Sequence, residues 1–349
     1  MAFGVNPPED RLSDMRRTPG AALSSSALTR RALLGVFPAL LVRNVAARSD
    51  PPQKRRFVLP MSLPGGIPGE GCYIRHGYAC ENTSFNSGWW HTGENWYVIE
   101  GNSAGALIHA VAAGEVVYAA SDYPGRVVIV RHEDELYSMY GHLDYELAVV
   151  VGDVVELGQV LGTVLFRTDS RSPSHLHFEM RTFFTTPMVN GSSPRYNYPC
   201  GVQCPPGPGY WPMADPDHPS TLGWLNPMHV IARSAYPEGV PAGEQVVVAS
   251  NPAIHSAAIL SAPDQGASAE AIDQLILIPG QRFPLLNISA GDAATVETSA
   301  GAYEVWYEVE ALNGVRGWVR AYEPSPETTG ADGRASALRI NFLMTSTQI

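Results

Sequence analysis

The sequence has little charge and no basic stripe, and both shortages limit the partners that it can have. Charged residues make up 16% of the 349 residues, and acidic residues outnumber basic ones by 34 to 23, which gives a formal net charge of -11 at pH 7. Proteins that bind phosphate backbones normally present clustered Lys and Arg. We therefore expect no nucleic-acid partner.

Long apolar runs and helix-period stripes are also missing after residue 48. A membrane-spanning helix needs about 20 consecutive apolar residues, and no such run occurs there, so we expect no membrane span in the mature protein. Turn-formers are abundant instead, with 33 Gly and 29 Pro beside a hydrophobic fraction of 45%. This composition favours short strands and long loops, and the length allows two domains. We predict a mostly β protein.

Cysteine is scarce, with four residues that fall into two local pairs. Cys72 lies near Cys80, and Cys200 lies near Cys204, so an oxidising compartment would allow two local disulfides. Four cysteines permit three pairings, and the sequence leaves the choice open. Metal binding by the second pair is the alternative, but no other Cys or His pair lies nearby at zinc-site spacing.

The N-terminal 48 residues have the pattern of an export signal and linker. Arg30 and Arg31 precede an apolar run at residues 32–42, and small residues follow at 45–47. This pattern resembles a twin-arginine signal, with an apolar run too short to span a bilayer. The alternative is a short core or amphipathic helix. We expect an exported protein that is extracellular, periplasmic or associated with the cell wall.

Short strands separated by turn residues are predicted along the next part of the chain. The segment from residue 183 to residue 224 has little periodicity but several aromatic residues, so we expect it to pack along the rim of a groove. The strands of this first domain are predicted at residues 107–111, 115–119, 126–132 and 136–142.

A second run of predicted strands follows residue 241. Asn313 and Gly314 mark a hairpin turn within it. The predicted division is a first domain at 49–235, a second all-β domain at 236–325 and a tail at 326–349. The strands of the second domain are predicted at residues 244–249, 274–278, 303–309 and 315–320.

Two histidines, His175 and His177, alternate with apolar residues in a predicted strand. Strand side chains repeat every second residue, so both imidazoles are expected on one face. This pair alone is weak support for a metal site, because zinc needs further ligands. Candidate partners upstream are His91, Asn95 and His142.

The order of these motifs resembles the lysostaphin/LytM family of zinc metalloendopeptidases, which cut peptidoglycan peptides. The resemblance implies an antiparallel β-sheet peptidase domain, the duplicated hybrid motif. It rests on five ordered elements, namely His91-Thr92-Gly93-Glu94-Asn95, a turn at residues 111–116, His142-Leu143, residues 152–162 and His175-Leu176-His177-Phe178-Glu179.

The resemblance also implies roles for the site residues. One zinc ion would be held by His91, Asn95 and His177, while His142 and His175 would be the catalytic histidines. Zinc with three protein ligands keeps an open position and lowers the pKa of a bound water to about 7. The implied activity is hydrolysis of peptide bonds in peptidoglycan cross-links or stem peptides.

Position 95 departs from the family pattern, because the family has aspartate there. An asparagine offers a carbonyl oxygen without negative charge, which weakens the hold on a metal ion. The adjacent Glu94 would point to the opposite face of an extended strand. A catalytically impaired protein that binds peptidoglycan or regulates another hydrolase is therefore the alternative function.

The second predicted domain resembles a bacterial SH3-like module through the segments 303–309 and 313–319. Such modules accompany wall hydrolases, so the resemblance implies a cell-wall partner. The alternative is a small β-barrel that only packs on the first domain. Exposure of Trp306 or Trp318 in a groove would favour ligand binding.

Overall fold

Strands dominate the structure, which is a computed structural model. Residues 50–349 group into one compact unit, and the predicted export signal at 1–48 lies outside the described residues. The described residues are 56–83, 85–122, 124–168, 172–197, 204–250, 255–263, 269–294, 303–330 and 333–345.

The described residues form 23 strands and one α-helix, so the mostly β prediction is confirmed. Helix α1 covers Pro227–Ser234. The strands are β1 Met61–Ser62, β2 Cys72–His76, β3 Glu81–Asn82, β4 Asn86–His91, β5 Glu94–Val98, β6 Leu107–His109, β7 Gly114–Ala120, β8 Arg126–Arg131, β9 Tyr137–Leu143, β10 Val154–Val155, β11 Val160–Thr163, β12 Leu176–Arg181, β13 Tyr210–Pro212, β14 Trp224–Leu225, β15 Gln245–Val248, β16 Ser256–Leu260, β17 Ala271–Ile276, β18 Arg282–Ala290, β19 Val305–Glu310, β20 Arg316–Arg320, β21 Tyr322–Thr329, β22 Ala335–Ile340 and β23 Phe342–Thr345.

A ten-stranded antiparallel sheet carries the predicted site strands. Its strand order is β10-β7-β8-β9-β12-β5-β2-β22-β21, with β14 beside β12. Strands β6 to β9 coincide closely with the four strands predicted for the first domain. Val and Ile side chains in β7 and β8 contribute to this agreement, because β-branched residues fit a pleated, buried sheet.

The core beneath this sheet is built from side chains that alternate along its central strands. Trp96, Tyr140 and Phe178 are fully buried on neighbouring strands, and the Tyr140 and Phe178 rings lie 5.4 Å apart. Aromatic pairs at that separation add stabilisation beyond area burial. Strand β12 is thereby fixed in the centre of the sheet.

A seven-stranded sheet occupies most of residues 245–345, with the order β17-β16-β20-β19-β18-β15-β23. The predicted hairpin is confirmed, because β19 and β20 pair antiparallel and Gly314 has a φ of 81° in the turn between them. Only a residue without Cβ adopts that φ without strain. The SH3-like assignment stays a prediction. Trp306 is buried and Trp318 is half-buried.

The end of the chain contributes strands to both sheets. Strand β22 pairs with β2 of the ten-stranded sheet, and β23 pairs with β15 of the seven-stranded sheet. The boundary predicted between residues 325 and 326 falls inside β21. The division of the chain into the four predicted segments stays a prediction.

The local disulfide considered for Cys72 and Cys80 is absent, because neither of these two buried cysteines is disulfide-bonded. Burial raises the pKa of Cys72 to about 12, so its thiol is uncharged at neutral pH. Cys204 is disulfide-bonded, while Cys200 lies outside the described residues.

In the part of the chain that the structure describes, no helix has the length and apolar character needed to cross a membrane.

Candidate active site

The strand register brings the predicted site residues to one cavity. Asn95 on β5 lies opposite His177 on β12, and His177 lies opposite Gly141, the neighbour of His142, on β9. The cavity has a volume of about 310 Å³ and is lined by Asn95, His142, His175 and His177, among others.

Two of the proposed metal ligands have ring nitrogens that face each other. His91 Nε2 lies 3.1 Å from His177 Nδ1. The other nitrogen of each ring faces an acceptor, because His91 Nδ1 is 3.1 Å from the Gly77 carbonyl and His177 Nε2 is 3.0 Å from Glu179 Oε1. These acceptors place the ring protons on the far nitrogens, as in histidines that ligate metals.

Asn95 supplies a third donor atom at the same point, since its Oδ1 lies 3.2 Å from His177 Nδ1. Ligand atoms about 2.0–2.1 Å from a tetrahedral zinc are about 3.3 Å apart. The separations of 3.1 Å and 3.2 Å agree with that spacing.

The chemistry of these three atoms also fits a cation. In neutral rings, His91 Nε2 and His177 Nδ1 both present lone pairs, and Asn95 Oδ1 presents another, so the three acceptors repel one another without a positive charge between them. Burial, together with nearby His177 and His76, holds the pKa of His91 well below its usual range. A metal ion therefore fits this point. Across the described ranges, no group of three or more His, Cys, Asp or Glu is placed to hold a metal, and here the third donor is an amide.

The two other histidines meet on the cavity wall beside this point. The rings of His142 and His175 are 4.7 Å apart and nearly perpendicular. Each directs Nδ1 at a backbone carbonyl, with His142 at 3.0 Å from Pro124 O and His175 at 2.8 Å from Pro173 O. Both rings therefore keep Nε2 as the unprotonated nitrogen. His142 has a φ of 64°, a strained backbone for a residue with a side chain.

Burial and the neighbouring His142 hold the pKa of His175 well below its usual range. The ring of His175 also stacks on Tyr97, with centroids 4.9 Å apart and planes inclined by 20°. The imidazole is thus neutral and held in one orientation at neutral pH.

A buried carboxylate fixes His177 from behind. Glu179 Oε1 accepts from Thr92 Oγ1 at 2.7 Å, and Glu179 Oε2 accepts from Arg181 Nη1 at 3.0 Å and from Trp224 Nε1 at 3.1 Å. Burial raises the pKa of Glu179, but the hydrogen bond from His177 and the charge of Arg181 outweigh it and leave that pKa below its ordinary value. Glu179 is therefore ionised and orients the imidazole.

Glu94 does not replace the missing aspartate. Its side chain is fully buried and Oε2 accepts from Trp96 Nε1 at 3.0 Å, so it is directed into the core and does not line the cavity. Burial raises the pKa of Glu94 to about 8, so the carboxyl is mostly protonated at neutral pH.

Several cavity residues were missed from the sequence. Tyr210 packs against His91, with rings 5.1 Å apart, and its hydroxyl accepts from Asn82 Nδ2 at 3.1 Å beside Asn86 and Asn95. Arg167 also lines the cavity. The aromatic content of the 183–224 segment pointed to this wall, but no spacing in the sequence linked Tyr210 to a particular histidine.

Two other buried histidines, His109 and His132, have structural partners. His109 Nε2 is 2.8 Å from Ser62 Oγ, and His132 Nε2 is 2.7 Å from Ser138 Oγ. Their second nitrogens also contact backbone carbonyls. They are packing residues.

The segment that carries the site residues matches the model of a known protein family. The family model described as Peptidase family M23 matches residues 91–191, a segment that begins at His91 and contains all five site residues. This segment is an M23 peptidase domain. The match confirms the resemblance to lysostaphin/LytM peptidases that the motifs indicated.

Solved structures similar to this chain include peptidases. Lysostaphin from Staphylococcus simulans is 17% identical with a TM-score of 0.27, over 78% of this chain and 93% of that chain. A zinc-containing peptidase from Vibrio cholerae is 23% identical with a TM-score of 0.28, over 36% of this chain and 37% of that chain. The catalytic domain of the M23 protein EnpA from Enterococcus faecalis, as an A109H mutant, is 27% identical with a TM-score of 0.26, over 31% of this chain and 80% of that chain. No curated protein matches the chain.

Part of the cavity wall lies outside the M23 match. Tyr210 and Gly209 follow the matched segment, and Asn82 and Asn86 precede it. Thr92 N donates to the Gly209 carbonyl at 3.1 Å, which joins this outer wall to the M23 segment. The outer wall is therefore a feature of this chain that the family match does not describe.

Proposed function

We propose that this protein is a zinc metalloendopeptidase that hydrolyses peptide bonds of peptidoglycan cross-links or stem peptides. The observation that carries the proposal is the position of His177 Nδ1, which lies 3.1 Å from His91 Nε2 and 3.2 Å from Asn95 Oδ1. The catalytic pair His142 and His175 lines the same cavity. The M23 match supports the peptidase class.

The chain would hold one zinc ion through His91 Nε2, Asn95 Oδ1 and His177 Nδ1. When bound, the ion supplies Lewis acidity that activates a water and polarises the scissile carbonyl. Glu179 keeps the proton of His177 on Nε2, so that Nδ1 stays available to the metal.

His142 and His175 would move protons in the reaction. Each has its Nδ1 proton held by a backbone carbonyl, so each offers an unprotonated Nε2 that accepts a proton from the attacking water. The protonated ring then returns that proton to the leaving amine, as a general acid. The resulting imidazolium also stabilises the negative charge that develops on the carbonyl oxygen.

The cellular setting is part of the same proposal. A twin-arginine-like signal at residues 1–48 would export the protein, the M23-containing domain at 49–235 would cut the wall peptide, and an SH3-like domain at 236–325 would hold the enzyme on peptidoglycan. The motifs at Arg30 and Arg31 and around Trp318 support these roles.

Asn95 supports a second candidate, a catalytically impaired protein that binds peptidoglycan or regulates another hydrolase. Two imidazoles and a neutral amide hold a metal less tightly than a set that contains a carboxylate. This candidate predicts binding to sacculi without cleavage.

Metal analysis and digestion of sacculi separate the two candidates. The proposed peptidase retains about one zinc per chain and releases peptide fragments, and His177→Ala loses both properties. Arg316→Gln, which alters an exposed ion pair and does not line the cavity, is the control. Zinc-free protein and inert sacculi would contradict the peptidase proposal. Cleavage gained only by Asn95→Asp would favour the impaired protein.

A further inference from the structure

Tyr210 on the outer wall of the cavity is in contact with a proposed metal ligand. The rings of Tyr210 and His91 have centroids 5.1 Å apart, and their planes are inclined by 33°. Aromatic rings at this separation attract each other. Tyr210 lies on β13, beyond the segment 91–191 that matches the M23 model. The family match therefore gives this residue no role.

Strand pairing produces the contact between the two rings. Strand β13 pairs antiparallel with β4, and Tyr210 lies directly opposite His91. Side chains directly opposite each other in an antiparallel pair lie on one face of the sheet, with Cβ atoms about 4.5–5.5 Å apart. The position of the Tyr210 ring beside His91 thus follows from the backbone register.

The hydroxyl group holds the other end of the Tyr210 side chain. It accepts a hydrogen bond from the Nδ2 of buried Asn82 at 3.1 Å. Asn82 lies on β3, and the strand order of this small sheet is β13-β4-β3. The Tyr210 side chain therefore crosses from β13 to β3 over β4, the strand that carries His91, and it is fixed at both ends.

The two histidine ligands have different support at their far nitrogens. His177 Nε2 faces the ionised carboxylate of Glu179 at 3.0 Å, whereas His91 Nδ1 faces the neutral carbonyl of Gly77 at 3.1 Å. A hydrogen bond at Nδ1 fixes that atom but allows the ring to turn about the bond. A flat ring packed beside His91 opposes this turn and keeps Nε2 directed at the proposed metal position.

The contact should be stronger in the metal-bound protein than in the metal-free protein. An imidazole that gives its lone pair to a divalent ion becomes more positive. The face of a tyrosine ring attracts positive charge within about 6 Å of its centroid, and the His91 ring lies within that range. A contact that favours the metal-bound state increases the affinity for the metal.

We propose that Tyr210 is a positioning residue of the metal centre, which holds the His91 ring with Nε2 directed at the metal. This inference rests on the proposed function, because it concerns the metal site on which that function depends. It makes zinc affinity depend on a side chain outside the M23 match.

Four variants of the full chain test this role. Tyr210→Phe keeps the ring and removes the hydroxyl, whereas Tyr210→Leu and Tyr210→Met remove the ring and keep an apolar side chain. Tyr196→Leu is the matched control. Tyr196 packs against Trp211, the neighbour of Tyr210, with rings 5.3 Å apart, but it does not line the cavity.

Three measurements are made on each variant. Competition with a chromophoric chelator gives the zinc affinity, and the visible absorption of the cobalt-loaded protein reports the geometry of the ligands around the metal. The melting temperature of the metal-free protein reports its stability. A residue that only stabilises the fold changes the melting temperature, whereas a positioning residue also changes the zinc affinity and the cobalt spectrum.

Tyr210→Leu and Tyr210→Met should bind zinc about 10-fold to 100-fold more weakly than the parent, the usual cost of losing a residue that orients a ligand. Their cobalt spectra should also differ from that of the parent. Tyr210→Phe should bind zinc within about threefold of the parent, with the parent spectrum, because the ring contact remains. Tyr196→Leu should keep the affinity and the spectrum of the parent.

Parent-like zinc affinity in either folded variant without the ring would overturn the inference, as would an equal loss in Tyr210→Phe or in Tyr196→Leu. A parent protein that binds no zinc would refute both the metal site and the inference. Zinc affinity that depends on Tyr210 in a protein that leaves sacculi intact would keep the positioning role and refute the peptidase. Cleavage of sacculi with a zinc affinity independent of Tyr210 would do the reverse.

Discussion

Replacing Asn95 by aspartate should tighten zinc binding by about 100-fold. Asn95 is only 3% exposed, and its Oδ1 lies 3.2 Å from His177 Nδ1 at the proposed metal position. Two unit charges 4 Å apart attract by about 4 kcal/mol at an effective dielectric constant of 20. A carboxylate in contact with a divalent ion gains more than that, but its burial costs several kcal/mol. A net gain of about 3 kcal/mol corresponds to about 100-fold in the dissociation constant.

The same substitution should destabilise the metal-free protein. A carboxylate at position 95 would face the lone pair of His177 Nδ1 with no donor between them. We expect the metal-free Asn95→Asp variant to lose about 1–3 kcal/mol of unfolding free energy, the penalty of a buried oxygen that faces the lone pair of His177 Nδ1. Zinc should restore this loss, so the gain in melting temperature on adding zinc should be larger for the variant than for the parent.

Competition with a chromophoric chelator at controlled free zinc measures the affinity. Asn86→Asp is the matched control, since this substitution adds the same charge and Asn86 lines the same cavity outside the donor set. We expect that control to gain less than about tenfold. If Asn95→Asp binds zinc no more tightly than Asn86→Asp, the carboxamide at position 95 is not a ligand and the assigned donor set is wrong.

Three further predictions concern the support of the site and the stability of the fold. Glu179→Gln should lower the unfolding free energy by about 3–5 kcal/mol, because it leaves buried Arg181 without its counter-charge. The control Glu115→Gln, which removes an exposed ion pair, should cost less than about 1 kcal/mol. Equal losses of unfolding free energy in urea titrations of the two variants would refute this account. Gly207→Ala should destabilise more than Gly101→Ala, since both have positive φ but an added Cβ at 207 would clash with Arg181 Nη1 and nothing lies within 4 Å at 101. Similar melting temperatures for the two variants would argue against close packing of Gly207 on Arg181. His229 accepts from Glu304 N through Nε2 at 2.9 Å and directs Nδ1 at Asp292 O at 2.7 Å, and burial lowers the pKa of its imidazole. The contribution of neutral His229 to the unfolding free energy is therefore complete above the unfolded pKa of about 6.5. It decreases as pH falls below that value, by up to about 1.4 kcal/mol per pH unit. His229→Gln should therefore have a flatter stability profile between pH 7 and pH 5, and a parallel profile would exclude His229 as the source.

The sequence predicted strands β7, β8 and β9 of the ten-stranded sheet well because their residue preferences and their environment agree. Strands β7 and β8 are rich in Val and Ile and lie between clear turn residues, so local residue preference and burial give the same answer. Strands β21 and β22 were missed. Residues such as Ser325 and Thr329 read as a polar tail, and only pairing with β2 makes that segment extended.

The site shows the same division between local and distant information. The two-residue period of a strand predicted that His175 and His177 face the same side, and both line the cavity. Tyr210 and Arg167 could not be placed, because their positions depend on contacts with distant parts of the chain, such as that of Tyr210 with His91. Cys72 was considered for a bridge from its spacing to Cys80, yet spacing along the chain does not bring two thiols together across a sheet.

The pairing of β22 with β2 has a consequence for how the protein is made. Ile74 is aligned with Leu338, which follows it by 264 residues (338 minus 74). Strand β2 is also the neighbour of β5, the strand that carries Asn95. During synthesis from the N-terminus, one edge of β2 stays unpaired until β22 has been made. Contacts between such distant segments slow folding and leave an edge exposed to wrong partners in the meantime. We therefore expect nascent chains that stop before residue 335 to be targets for chaperones or proteases, even though the whole M23 segment has already been made.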